Sequence, residues 1–370
     1  MSSHKLNIET GSSVFTEEPP GDTPKMHNKI IKYPFRDIIC TEESVGKLLS
    51  DLDGSKSQGP DQMHPKVMKE LKSIINKPLS IIFNKSLEDS QVPSAWKEAN
   101  ITAIFKKGSK SDPGNYRPVS LTSIVGKTME KIVRNSIVNH MENNDLFSNK
   151  QFGFIAKRST VLQLLMVLED WTDILDHGGE IDVIYMDFMK AFDKVPDYTS
   201  SNTYLFADDT KIYREIKSDE DRKAMQQDLD KLQEWSNKWL LKFHPLKCKV
   251  LTIKQKRKET WTYHMAGAED NVALENITSE KDIGVTVDKD LNFSMHMQQA
   301  VNKANSIVGF IRRSFVYLDE VFFTQLFKAL VRPHLEYAAS VWNPYKIKDI
   351  ESTILQRPSQ ESRTPDIGIP

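Results

Sequence analysis

The order of apolar and polar residues divides this chain into short strands and amphipathic helices. Thr41 suits a helix cap, and Val45, Leu48, Leu49 and Leu52 follow at helical spacing. Gly54 to Gln62 reads as a loop with Gly59-Pro60-Asp61 as its turn. Pro65 fits a first helical turn, and Val67, Leu71, Ile74 and Ile75 continue an apolar stripe. Pro78 is expected to interrupt that stripe, and Ile82, Phe83 and Leu87 begin another. Ile101 to Phe105 predicts a short strand that runs into the basic turn Lys106-Lys107-Gly108. A Tyr116-Arg117-Pro118 turn then leads to a helix carrying Ile124, Val125, Ile132, Val133 and Ile137.

A further helix is predicted over Val161–Leu175, with Val161, Leu164, Leu165, Leu168, Trp171 and Leu175 on one side, ended by His177-Gly178-Gly179. Ile181-Asp-Val-Ile-Tyr-Met-Asp187 is an apolar strand that ends on a carboxylate. Tyr204 to Tyr213 has two short apolar arms around Asp208-Asp209, the pattern of a tight hairpin. Lys217 to Leu241 predicts a long helix with Met225, Leu229, Leu232, Trp235 and Trp239 inward. Ile283, Val285 and Val287 alternate as a strand, and the stripes beyond Asn292 (Val301, Ile307, Val308, Ile311, then Val321, Phe322, Leu326, Leu330) are helical. Residues 1–40 and 356–370 are polar and proline-containing and predict disorder.

Composition adjusts this picture only slightly. The 370 residues are 39% hydrophobic and 27% charged, as in a soluble protein with polar flanks. No apolar run is long enough to span a membrane and no signal-peptide pattern opens the sequence, so the expectation is an intracellular protein of the nucleus or cytoplasm. Two cysteines, Cys40 and Cys248, make neither a disulfide framework nor a zinc set. The net charge of −1 argues mildly against nucleic-acid binding. The stretch from Lys97 to Arg134 argues the other way, because Lys106, Lys107, Lys110, Arg117, Lys127, Lys131 and Arg134 outnumber its acids.

The candidate chemistry lies in three carboxylates, Asp187, Asp208 and Asp209. Brought together they repel at neutral pH unless divalent cations sit among them, and Mg²⁺ takes all-oxygen ligands of this kind. Two such ions clamp an in-line phosphoryl transfer. Taken alone, Asp208-Asp209 reads more readily as the tip of a solvated turn.

Asp187-Phe-x-Lys-Ala-Phe-Asp193 and Phe206-Ala-Asp-Asp209 resemble the two metal-binding motifs of reverse transcriptases, and the surrounding sequence resembles non-long-terminal-repeat retrotransposons of the jockey-like type. The likeness covers about residues 55–350 and includes the Gly59-Pro-Asp run, the Arg117-Pro-Val-Ser motif and Gln151-Phe-Gly-Phe-Ile155-Ala-Lys157-Arg158-Ser159. It implies an α+β fold, a right-hand polymerase palm and fingers with a helical thumb, and RNA-directed DNA polymerase activity. The implied partners are an RNA template, a DNA primer and dNTPs, with no membrane. The implied cofactor is a pair of Mg²⁺ ions, for which Mn²⁺ can substitute. On this reading residues 41–180 are fingers and the first part of the domain, 181–255 a truncated palm with the metal-binding carboxylates, and 256–355 the thumb and a connection-like region.

Carried over by position, the resemblance makes Asp187, Asp208 and Asp209 metal ligands. Lys106 or Lys107, with Arg117, would contact triphosphate, and Arg is suited to bidentate phosphate contact. Lys157 and Arg158 stand in the basic signature, where Ile155 replaces an expected arginine. Phe192 would pack under the nucleotide sugar, and Lys247, after Trp235-x-x-x-Trp239-x-x-x-Phe243, would give a proton to pyrophosphate. The alternatives are a solvated loop for the lysines at 106 and 107, a core position for Phe192 and a plain surface lysine at 247.

One departure divides the readings. Asp187 and Asp208 are 21 positions apart, and the Pro-Gln-Gly segment that supports template and base pair in the family is missing, so the palm is interrupted. That leaves a non-catalytic remnant, binding RNA at most, beside the polymerase. A metal-dependent phosphohydrolase is a third reading.

Overall fold

The computed structural model describes residues 30–106, 108–187, 199–207, 209–239, 243–254, 256, 261–267, 271–343, 347 and 350. The two ends expected to be disordered lie largely outside them. The chain divides into two compact units, Met1–Phe147 and Ser148–Pro370. The sequence-based division at 180/181 falls inside the second unit, because the helix before it packs on that unit's sheet.

The first unit holds α1 (Glu42–Ser50), α2 (Pro65–Glu70), α3 (Lys72–Glu88), α4 (Ser94–Lys97), β1 (Ala99–Phe105), β2 (Tyr116–Thr122) and α5 (Ile124–Asn143). Thr41 caps α1, its side chain accepting the Ser44 N–H at 3.1 Å. Val45, Leu49, Met68, Phe83, Ile124, Val125, Met129 and Ile132 form one core. The predicted stripe of Val67, Leu71 and Ile74 instead faces solvent, and Met68 and Leu79 take the inward places. Pro78 does not interrupt the helix either, since α3 runs through it. Its missing N–H would have bonded the carbonyl of residue 74, and Ile74 is on the wet side, where water can take that carbonyl.

The pattern at Tyr116-Arg117-Pro118 predicts a turn. These residues are strand, not turn: β2 pairs antiparallel with β1 over its whole length, with Pro118 opposite Ala103. In a two-stranded sheet each strand is an edge, so a proline can sit with its donor-less nitrogen facing out.

The second unit holds α6 (Thr160–Asp176), β3 (Ile181–Asp187), β4 (Asn202–Phe206), β5 (Asp209–Glu215), α7 (Asp219–Lys238), β6 (Lys249–Ile253), β7 (His264–Ala266), β8 (Asn271–Ala273), β9 (Glu275–Ile277), β10 (Ser279–Asp282), β11 (Val285–Asp288), α8 (Ser294–Ser314), α9 (Glu320–Leu326), a π-helical turn at Phe327–Val331, α10 (Arg332–Glu336) and α11 (Ala339–Trp342). Its main sheet has the order β4-β5-β3-β6-β9, with β3 at the centre. The fold is α+β, as expected.

The period of two along β3 decides what covers each face. Ile181 and Val183 pack with Leu164, Val167 and Trp171 of α6 and with Val285, Val287 and Met297. Ile184 and Met186 face Met225, Leu229, Leu232 and Trp235 of α7. Asp182 points to the α7 side too, and a buried network satisfies it. Tyr263 Oη and Thr252 Oγ1 donate to it at 2.7 and 2.6 Å. Arg222 of α7 pairs with Asp182 at 3.4 Å and with Glu180 at 2.7 Å.

Of residues 256–355, the alternation at Ile283, Val285 and Val287 predicts one strand, and β11 covers the last two of those positions. More strands precede it, where Tyr263, Met265 and Leu274 turn inward beside α7. Helices follow from Ser294. No helix of the described residues is long and apolar enough to cross a membrane.

Candidate active site

The hairpin predicted around Asp208-Asp209 is present. Phe206 pairs with Asp209, so only positions 207 and 208 separate β4 from β5. Ala207 has φ +57°, a left-handed conformation of the sort that two-residue hairpin turns require. For a residue with a Cβ that conformation costs about 1–2 kcal/mol, so the surroundings must hold it.

β5 also pairs with β3, and there the register sets Asp187 directly opposite Asp209. Two of the three carboxylate-bearing positions are thus cross-strand partners at the same end of the central sheet. Asp209 is exposed. Asp208 and Phe192 lie outside the described residues, as does Lys107. Among the described residues no group of three or more His, Cys, Asp or Glu side chains forms a metal site.

The residues just before α6 grip the hairpin. Phe152 N–H donates to the Leu205 carbonyl at 2.8 Å, and Leu205 N–H donates to the Lys150 carbonyl at 3.0 Å. These bonds lay residues 150–152 along the free edge of β4. The Gln151 Oε1 then accepts the N–H of Gly153 at 2.8 Å and that of Ala207 at 3.2 Å. A Cβ on Gly153 would stand 2.3 Å from the Ala207 nitrogen, so only glycine allows this approach.

Arg158 serves the same loop. Its guanidinium donates to the Ser148 carbonyl at 2.6 Å and to the Gln151 carbonyl, and it lies 5.5 Å from the Phe152 ring centre. Lys157 is exposed with φ +65°. In the first unit, Lys106 is exposed at the end of β1, its N–H on the Asn115 carbonyl at 2.8 Å, and Arg117 is exposed on β2.

A cavity of about 330 Å³ opens beside Asp209. Lys247 lines it together with Tyr185, Lys211, Lys249 and Asp282. The Lys211 ammonium and the Asp282 carboxylate form an ion pair in its wall, 3% and 5% exposed. Lys249 pairs with Glu280 at 3.2 Å. Burial, and then the Asp282 and Glu280 charges, hold the Tyr185 hydroxyl protonated well above its ordinary range. Sequence reasoning passed over Lys211 and Asp282. The one available signal was that Lys211 stands two places after Asp209 on a strand and so shares its face.

This arrangement sets two carboxylate-bearing positions opposite each other at one end of a sheet, beside a cavity whose wall includes Lys211, Lys247 and Lys249. Residues 104–204 match the family described as reverse transcriptase (RNA-dependent DNA polymerase). The chain is 30% identical over 156 residues to the RNA-directed DNA polymerase from mobile element jockey of Drosophila melanogaster, covering 42% of this chain and 17% of that protein. It is 22% identical over 339 residues to the probable RNA-directed DNA polymerase from transposon BS of the same fly, covering 70% of this chain and 37% of that protein. A retrovirus-related Pol polyprotein from type-1 retrotransposable element R1 of Bradysia coprophila is 28% identical over 148 residues, covering 38% of this chain and 14% of that protein. The chain thus spans well under half the length of these relatives. It is a relative of the reverse transcriptases of non-long-terminal-repeat, jockey-like retrotransposons.

Proposed function

We propose that this chain is the polymerase segment of a retrotransposon protein and carries out RNA-directed DNA synthesis from RNA template, DNA primer and dNTPs. The observation that supports it most is the register of Asp187 against Asp209, with a two-position connection between β4 and β5 that contains Asp208. The donor set is all oxygen and faces water at Asp209, which suits Mg²⁺ or Mn²⁺. Asp187, Asp208 and Asp209 would hold two such ions. Bound there, the ions would stabilise the attacking and leaving oxygens of phosphoryl transfer.

The chain's own residues supply the rest. Arg117 with Lys106 or Lys107 would hold the triphosphate, and Lys157 and Arg158 would add positive charge. Phe192 would support the sugar, and Lys247 would protonate the leaving pyrophosphate. In this reading the first unit contributes fingers, the central sheet is a palm interrupted between Asp187 and Asp208, and the helices from α8 onward are the thumb. The protein would act inside the cell, where its RNA template is made.

The missing Pro-Gln-Gly segment favours a second reading, a remnant that binds RNA through the basic stretch 97–134 and does not turn over. Positioning supplies much of the rate in this chemistry, so ions without an aligned primer end make a poor catalyst.

Primer extension separates the two. Wild-type protein and Asp208→Ala are given an RNA template, a DNA primer and dNTPs with Mg²⁺ or Mn²⁺. Extension by the wild type and none by the variant is expected. No extension, with RNA binding retained, refutes the polymerase reading and leaves the remnant.

A further inference from the structure

We infer that Gln151 is a positioning residue for the carboxylate hairpin, and that Gly153 is the gap that lets it work. The inference rests on the polymerase reading above. Three observations carry it. First, β4 is the edge strand of the main sheet, and the backbone of residues 150–152 extends that edge by its two bonds to Leu205. Second, this added strand ends beside the turn, where Gln151 Oε1 receives the Ala207 N–H. That is the one residue of the turn held in a left-handed conformation among those described. Third, Gln151 is 8% exposed and its acceptor is shared with the Gly153 N–H, so the side chain has no freedom to swing away.

The device works by selection. A hairpin turn on an edge strand can adopt several backbone conformations, each aiming residues 208 and 209 differently. A fixed acceptor over the Ala207 N–H favours one of them. Arg158 stiffens the acceptor's own loop from behind by taking the Ser148 and Gln151 carbonyls. Ser159 then caps α6, its side chain accepting the Leu162 N–H at 3.1 Å, which anchors the loop's far end. Gln151 touches no reacting atom. It acts through the direction in which the Asp208-Asp209 pair is presented.

The test compares full-length wild type with Gln151→Met, which keeps the size and removes the acceptor, and Gln151→Glu, which keeps an acceptor. Two readouts are taken besides activity: amide hydrogen exchange at Ala207, and Mn²⁺ binding followed by loss of the free-ion electron paramagnetic resonance signal. Gln151→Met is expected to speed exchange at Ala207 about tenfold or more and to weaken Mn²⁺ binding about tenfold, with the far-ultraviolet circular dichroism of the folded protein unchanged. Gln151→Glu is expected to restore amide protection. A Gln151→Met protein that binds Mn²⁺ like wild type overturns the inference, whatever its exchange rate. A wild type that binds no Mn²⁺ overturns the polymerase reading, and the positioning role goes with it.

Discussion

Replacing Lys211 by methionine would leave the Asp282 carboxylate buried without its partner. Both side chains are almost inaccessible, at 3% and 5% exposure. In contact at an effective dielectric of about 20, such charges attract by roughly 5 kcal/mol, against a desolvation penalty of several kcal/mol for each ion. The pair therefore adds little net stability, while losing one member is expensive. Lys211→Met and Asp282→Leu should each cost about 3–5 kcal/mol, and the double variant should return to within about 1 kcal/mol of wild type. The assay is a double-mutant cycle by urea denaturation, followed by circular dichroism. Single variants costing under about 1 kcal/mol would refute the reasoning, and so would a double variant costing the sum of the two. Because Lys211 stands two residues after Asp209 and Asp282 ends β10, the cycle also measures how firmly the β10–β11 hairpin is tied to the carboxylate strand.

Two more outcomes are expected. Burial pushes the Asp228 carboxyl up, but hydrogen bonds from Ser200 and Ser201 and from Lys231 outweigh it and bring it down from 3.8 to about 2. The depressed value means stability that is fully present above pH 3.8 and is lost as pH falls through about 2; Asp228→Asn should cost about 2 kcal/mol at pH 7, and a deficit that stays constant between pH 4 and pH 2 would contradict this assignment. Arg222→Met would leave Glu180 and Asp182 buried without their cation and should cost about 3–5 kcal/mol in chemical denaturation; since it sits at the far end of β3 from Asp187, amide exchange at Ala207 should not change under native conditions, and a change there would show that the two ends are coupled.

The sheet around the carboxylates was legible because its strands are short, apolar and bounded by polar turns. Ile181–Asp187 has the same bounds in the structure as in the pattern. The hairpin was legible because two apolar arms flank two acids. The first unit was harder. Pro118 and Pro78 look like punctuation in a one-dimensional reading, but an edge strand and a wet helix face both tolerate proline. Val67, Leu71 and Ile74 kept helical spacing yet face solvent, so periodicity found the helix and misjudged its inner face. The Lys211–Asp282 pair joins residues 71 apart in sequence, and nothing local announces such a partner. Gln151 and Gly153 stood out in the sequence only as a signature, since their role depends on how closely two backbones approach.

The strand order has a consequence for the chain's history. β4 runs antiparallel to β5, and β5 antiparallel to β3, so β3 and β4 are parallel and lie on either side of β5. The chain leaves β3 at Asp187 and must re-enter at Asn202, the opposite end of the sheet. Parallel strands always need such a crossover, and it takes a dozen or more residues. Residues 188–201 can reach at most about 50 Å, ample for a strand about 20 Å long. Nothing in the pairing of β3, β5 and β4 fixes how long that crossover is. It is therefore a topologically neutral place, where a genome can add or remove coding sequence without disturbing the register of the strands it joins. A longer or a shorter crossover between Asp187 and Asn202 would leave Asp187 opposite Asp209, so an insertion made there would not require redesigning the sheet.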